Sequence, residues 1–191
     1  MAREMLRQGG RSARIQEAVH RTVQELLKRV DRSEITVPMI AEKAGVTPST
    51  IYRRWGDLSE LLADVAVARM RPIADPEDTG AMASDLETFM VQYAEEMSSK
   101  VGRAMMSDVL ASTEGEAAAR CCQYTYHHLE TLRERAAARG ETPFDINEAV
   151  DLVVAPIVYH ILFRDREPTP DYCRSLVGRF LGSRAEFSRL V

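Results

Sequence analysis

The chain has 191 residues, 45% of them hydrophobic and 28% charged, with a net charge of −4, enough for one large or two small domains around a packed core. Aromatic residues make up only 6%, and the three cysteines, two of them adjacent, are an odd count; these argue against a sheet-rich chain and a disulfide framework and for reduced, cytosolic thiols. No run of 18 or more uncharged apolar residues and no secretory leader is visible, so the expectation is a cytoplasmic protein without a membrane partner.

Residues 1–55 hold eleven Lys and Arg against six Asp and Glu, a net +5, whereas 56–191 hold fourteen against twenty-three, a net −9. A basic front on an acidic body fits a polyanion met by the front alone. The first eleven residues, with Arg3, Arg7 and Arg11, read as an arm, and Ser12 as the N-cap of a first helix. That helix carries the stripe Ile15, Ala18, Val19, Thr22, Val23, Leu26, Leu27 and Val30, the spacing of one buried helical face. Thr36 then caps a short helix ended by Gly45, where glycine suits a left-handed residue. Thr47-Pro48 reopens helix at once, as cap and first-turn proline. Gly56-Asp57 interrupts it, and Asp57 with Glu60 has capping-box spacing for a fourth helix with Leu58, Leu61, Leu62 and Val65.

The loop "RPIADPEDTG", residues 71–80, ends the first part of the chain. Beyond it Leu86, Phe89, Met90, Tyr93, Ala94 and Met97 form another stripe, and Val101, Met105 and Val109 a separate short helix. A long helical run from Ala117 closes at Gly140, and Asp145 with Glu148 opens "INEAVDLVVAPIVYHILF". Pro156 should kink that apolar helix. The last helix starts at Thr169-Pro170. The fold class is all-α, with about nine helices.

Helix, glycine turn and second short helix make a helix-turn-helix, a unit that presents the start of its second helix to base edges in the major groove. Thr47, Pro48, Ser49 and Thr50 stand at that start, where hydroxyls and free helix N–H groups suit bases and phosphates. Ile51 and Trp55 share an inward face, while Tyr52, Arg53 and Arg54 project from the remainder. The stretch "ITVPMIAEKAGVTPSTIYRRWGDLSELL" further resembles the DNA-binding region of the TetR/AcrR-type transcriptional regulators. The resemblance rests on Ile35, Thr36, Ile40, Ala41, Ala44, Gly45, Val46, Thr50, Ile51, Tyr52, Trp55, Leu61 and Leu62.

The resemblance implies a homodimeric DNA-binding regulator with a diverged helical C-terminal domain for ligand binding and dimerisation. It places Thr36 and Tyr52 on phosphates and Thr47 to Thr50 on bases and backbone. Arg53 and Arg54 fall where the family varies. One residue departs from the pattern: the family has a lysine for phosphate at the start of helix 4, and this chain has Leu58, beside Asp57.

The expected division is therefore 1–57 for DNA binding (arm 1–11) and 58–191 for ligand binding and dimerisation, with 58–71 as linking helix. The candidate pocket residues are Phe89, Met90, Tyr93, Met97, Met105, Val109, Tyr124 and His128, a Met-rich and aromatic set suited to an adaptable apolar cavity. The candidate dimer residues are Val154, Ile157, Val158 and Ile161 with Leu176 and Phe180, because a helix apolar nearly all round is central or at an interface. Cys121, Cys122, His127 and His128 suggest a metal or thiol sensor. If Ala118, Cys122, Leu129 and Leu132 face inward, however, His127 points away, and His128 lies roughly 10 Å of rise from Cys121. No metal, cofactor or catalytic residue is assigned, since no nucleophile elbow, phosphate loop or HExxH pair occurs. The expected partners are a near-palindromic duplex operator, a small-molecule effector and a second copy of the chain. Leu58 and Asp57 motivate a rival reading, a helical small-molecule-binding or adaptor protein that has lost DNA binding.

Overall fold

The computed structural model describes residues 2–164 and 167–187, with side chains over 10–164 and 167–182. Among these residues there are helices and no strand. The chain forms two compact units: one comprises the residues up to Arg69 together with Asp108–Ala118, the other Met70–Ser107 together with the residues from Ala119 onward.

The first unit contains α1 (Ala2–Leu26), a 3-10 turn at Arg32–Glu34, α2 (Val37–Ala44), α3 (Pro48–Trp55) and α4 (Leu58–Met70) up to Arg69. The stripe of α1 supplies Val19, Val23 and Leu26 to a core completed by Ile35, Ile40, Ile51, Trp55, Leu61, Leu62 and Val65. The linking helix thus contributes its first turns to the N-terminal core. The segment expected to be an arm is instead helical from Ala2. Residues 2–8 are all strong helix formers, and the following glycines cost only about 1 kcal/mol each in a helix. Ser12 accordingly caps nothing, and the side chains of Arg3 and Arg7 lie outside the described residues.

The sequence 108–118 completes this unit. Arg32 forms an ion pair with the buried Asp108. Asp57 caps α4 as its spacing suggests, accepting from Glu60 N at 2.9 Å. The Glu60 carboxylate, however, does not close the capping box. It accepts from Ser112 Oγ at 2.7 Å and from the backbone N–H groups of Thr113 at 2.7 Å and Glu114 at 3.4 Å. The Ser112 hydroxyl, followed by these backbone donors, holds the Glu60 carboxyl below its ordinary pKa. A carboxyl depressed by folding stabilises above its unfolded pKa and loses that contribution as pH falls through the lowered value. Amide exchange at Thr113 is therefore expected to stay slow at neutral pH, after correction for intrinsic rates, and to accelerate as pH falls through the lowered Glu60 value. Glu60→Ala should make it fast at every pH, and a pH-independent protection in the wild type would contradict the assignment.

The second unit consists of α5 (Met82–Ser98), most of α6 (Lys100–Ala111), α7 (Glu116–Ala138) from Ala119, α8 (Ile146–Ala149), α9 (Ala155–Phe163) and α10 (Pro170–Phe187). Its core includes Leu86, Phe89, Met90, Leu129, Leu132, Val153, Ile157, Ile161, Val177 and Phe180, with α10 packed along α5. Asp85 is fully buried at the start of α5; it accepts from Thr79 N and Thr79 Oγ1, each at 2.7 Å, and from Arg139 at 2.7 Å. Burial pushes the Asp85 carboxyl up, but these donors together hold it below its ordinary value. Arg139 also reaches Asp78 and Glu141, which ties the 71–80 loop to the end of α7.

Pro156 lies in the first turn of α9. A π segment, Val150–Val154, joins α8 to α9, with Ala155 N donating to Val150 O. The wider turn accommodates the missing proline donor and its ring. The combined helix Ile146–Phe163 is long and apolar enough by length and composition to cross a bilayer, yet its inward residues Ala149, Val153, Ile157 and Ile161 belong to the unit's core.

Gly102 sets the approach of α6 to α5. A Cβ there would lie 2.3 Å from Glu96 O and 2.7 Å from Met97 Cα, backbone atoms that cannot turn aside. Gly102→Ala is expected to cost about 1–3 kcal/mol, visible as a lower denaturation midpoint at unchanged m-value. An unchanged midpoint would show that α6 has freedom to move away.

Candidate nucleic-acid interface

The turn between α2 and α3 follows from local chemistry. Thr36 has extended backbone and its hydroxyl accepts from Met39 N at 3.4 Å; Gly45 takes φ 69°, the left-handed conformation that glycine adopts most readily. Thr47 caps α3 with extended backbone, and Pro48 occupies the first turn. The Thr47 hydroxyl lies 2.9 Å from those of both Ser49 and Thr50, forming one exposed polar cluster at the start of α3.

Ile51 and Trp55 are buried and anchor the opposite face of α3. Asp64 on α4 gathers the anchoring contacts. Its Oδ2 accepts from Trp55 Nε1 at 2.8 Å and from Gln16 Nε2 at 3.3 Å, and lies 2.9 Å from His20 Nε2. One carboxylate thus fixes α3 against both α1 and α4. Sequence reasoning missed Asp64, Gln16 and His20, because isolated polar residues give no periodic signal.

Tyr52 is 49% exposed and Arg53 is also exposed, on the same outer side as the hydroxyl cluster. Arg54 needs correction as a DNA-facing residue. Its guanidinium donates to Ser12 O at 3.3 Å, Ser12 Oγ at 2.6 Å and Gln16 Oε1 at 2.5 Å, and it lies 5.2 Å from the Trp55 ring centroid. Its donors are directed at α1, so it positions α3 instead of extending from it. Leu58, the replacement for the family lysine, packs against the N-terminal core. The Asp57 carboxylate faces the N-terminus of α4, whose partial positive charge offsets it.

This geometry has counterparts among known proteins. Residues 23–65 match the model described as "Bacterial regulatory proteins, tetR family", and residues 76–180, more than half of the chain, match "Tetracyclin repressor-like, C-terminal domain". The chain belongs to the TetR family. This TetR-family regulator is 28% identical over 160 residues to the uncharacterized HTH-type transcriptional regulator YdeS of Bacillus subtilis, covering 80% of this chain and 81% of YdeS. It is 25% identical over 112 residues to the HTH-type transcriptional regulator AqdR of Rhodococcus erythropolis, covering 59% and 54% of the two chains. It is also 25% identical over 162 residues to the uncharacterized HTH-type transcriptional regulator Mb1581 of Mycobacterium bovis, covering 80% and 78%. Family membership makes α2 and α3 the helix-turn-helix of a DNA-binding transcriptional regulator.

In the second unit of this TetR-family chain, the candidate pocket residues separate. Phe89, Met90 and Met97 are core, Tyr93, Met105, Tyr124 and His128 are partly buried, and Val109 falls in the first unit. On α7 Leu129 and Leu132 are buried and His127 is exposed, as expected, whereas Cys122 is exposed and Cys121 half-buried. Burial, followed by Cys122, pushes the Cys121 thiol up, and burial pushes Cys173 up to about 11. Raised thiols are protonated at neutral pH and poorly nucleophilic. Among the described residues no group of three His, Cys, Asp or Glu is placed to hold a metal ion.

The candidate dimer residues also need correction. Val154, Ile157, Ile161, Leu176 and Phe180 are buried in the protomer's own core, and Val158 packs against it. The outward apolar row of the same helix is Leu152, Tyr159 and Phe163, at 50%, 57% and 72% exposure, with exposed Ala155 between them. A helix apolar all round does not declare by pattern which face turns inward.

Proposed function

We propose that this TetR-family regulator is a cytoplasmic, homodimeric repressor that binds an inverted-repeat operator and is released by a small-molecule effector. The anchored reading helix carries the proposal. Asp64 and Arg54 fix one side of α3, leaving Thr47, Pro48, Ser49, Thr50, Tyr52 and Arg53 on or beside its outer side, with Thr36 at the start of α2. The outward row Leu152, Tyr159 and Phe163, together with exposed Ser175 and Gly178 on α10, supports pairing with a second copy. Two such copies present two reading helices to successive major grooves of a near-palindrome.

Functionally, residues 1–57 read DNA and 58–191 bind the effector and dimerise, with α4 as the lever. The effector favours a dimer conformation whose reading heads no longer fit adjacent grooves. The assignment includes no catalytic activity and no cofactor. Leu58 removes one phosphate contact, which lowers the salt slope by about 0.9 without displacing the reading helix.

Selection of the purified protein against random duplex DNA at low salt tests the reading. An enriched inverted repeat is expected; no enrichment would overturn it in favour of a helical binding or adaptor protein. Tyr52→Phe should weaken binding about fivefold, the worth of roughly one hydrogen bond, and equally across operator and unrelated duplex. A loss confined to one base position would make Tyr52 a base reader.

A further inference from the structure

Ser12, Gln16 and His20 stand four residues apart on α1, so their side chains form one polar ridge along a single side of that helix. Each meets a charged group that holds the reading helix. Ser12 accepts from the Arg54 guanidinium with its hydroxyl at 2.6 Å and its carbonyl at 3.3 Å. Gln16 Oε1 accepts from the same guanidinium at 2.5 Å, while Gln16 Nε2 donates to Asp64 Oδ2 at 3.3 Å. His20 Nε2 lies 2.9 Å from that Asp64 oxygen, and the His20 ring centroid lies 6.1 Å from that of Trp55.

Gln16 is the centre of this ridge for a chemical reason. A guanidinium only donates and an ionised carboxylate only accepts, whereas an amide carries one accepting oxygen and one donating NH2 group. The half-buried Gln16 amide therefore bridges Arg54 and Asp64 in one orientation alone, and joins a side chain of α3 to one of α4 through α1. Buried Ile51 and Trp55 set the depth of α3. Apolar contacts are non-directional, however, and α3 has only eight residues. Its rotation and sliding are fixed by the directional bonds of Arg54 and Trp55, both in its last turn.

Base edges and phosphates respond differently to a misplaced helix. Base readout needs hydrogen-bond geometry held to within about 0.5 Å, whereas phosphate contacts follow charge and supply most of the affinity for any duplex. Resting on the reading of α3 as the helix that meets base edges, we propose that the Ser12–Gln16–His20 ridge, centred on Gln16, determines sequence specificity without contacting base or phosphate, by setting the position of α3 through Arg54 and Asp64. Gln16 is a positioning residue: its loss lowers discrimination between operator and unrelated duplex and spares the general affinity for DNA.

The test titrates the full-length protein and its variants with the repeat that the wild type selects and with an unrelated duplex of equal length, at matched salt. The wild type is expected to prefer the selected repeat by about a thousandfold or more. Gln16→Met, close in length but unable to bridge, should cut that preference at least about tenfold, the worth of one base contact. Its affinity for the unrelated duplex and the salt slope should not change. Ser12→Ala, an exposed change that spares the fold, should lower the preference about threefold in the same manner, and decides the matter where Gln16→Met destabilises the unit. Because Gln16 acts through Arg54, Gln16→Met combined with Arg54→Met should lose less than the product of the two single losses. Amide protection at Ile51 shows which variants keep their fold. In those that do, an unchanged preference, a parallel loss on both duplexes, or fully multiplicative losses in the double variant overturns the assignment. A wild type that discriminates beside variants that discriminate equally well removes this assignment and leaves the operator reading standing; a wild type that enriches no repeat removes both.

Discussion

If the chain pairs as proposed, Tyr159→Glu is expected to convert the proposed dimer into monomers and to lower operator affinity by about a hundredfold or more, leaving the protomer fold intact. Tyr159 is 57% exposed on the outward row of α9, so the substitution disturbs no core packing. In a two-fold interface the same patch meets itself, and one substitution places two carboxylates against the same apolar surface. Desolvating them opposes association far more than the lost aromatic contact does. A monomer has one reading helix, so the second half-site no longer binds as an intramolecular event, a loss of roughly 10²–10⁴. Sedimentation gives the mass and a titration with the selected duplex gives the affinity. A Tyr159→Glu protein that remains dimeric would move the interface elsewhere.

The second large effect belongs to Trp55. Trp55→Ala removes a ring that is 8% exposed, the partner of the Arg54 guanidinium, and the indole donor to Asp64. Truncating a buried tryptophan costs about 3–5 kcal/mol, and Asp64 loses a hydrogen bond as well. Amide protection in α2 and α3 should collapse and duplex binding disappear, while α5 and α10, in the other unit, keep theirs. Trp55→Phe separates the contributions: it retains most of the apolar contact and loses only the N–H, a change of about 1 kcal/mol. Full protection in Trp55→Ala would mean that Ile51 alone anchors α3.

The residues that were legible in the sequence are those whose roles are local. Thr36, Gly45, Thr47 and Pro48 announce their positions because capping and left-handed backbone depend on near neighbours. The stripe of α1 is legible because one face alone is buried. Asp64 was not, since its value lies in Gln16, His20 and Trp55 arriving from elsewhere in the chain. Arg54 looked like its neighbour Arg53, yet docking of α1 captured its donors. On α9 the apolar residues surround the helix, so Ile157 and Tyr159 could be assigned to core and surface only after packing had chosen a side. Glu60 shows the same limit: its capping-box spacing is real, but a competing set of donors from 112–114 takes its carboxylate.

That last contact has a consequence for how the molecule is made. The first unit is discontinuous: residues up to Arg69 require Asp108–Ala118 for completion, including the partners of Arg32 and Glu60. During vectorial synthesis, domains ordinarily fold as they emerge, amino end first. Here α1 to α4 leave the ribosome with Arg32 and Glu60 unmatched, and they stay so until the chain has been extended through residue 118. The reading head therefore finishes folding only after α5 and α6 have been synthesised, so a nascent chain arrested before that point would hold an incomplete DNA-binding unit.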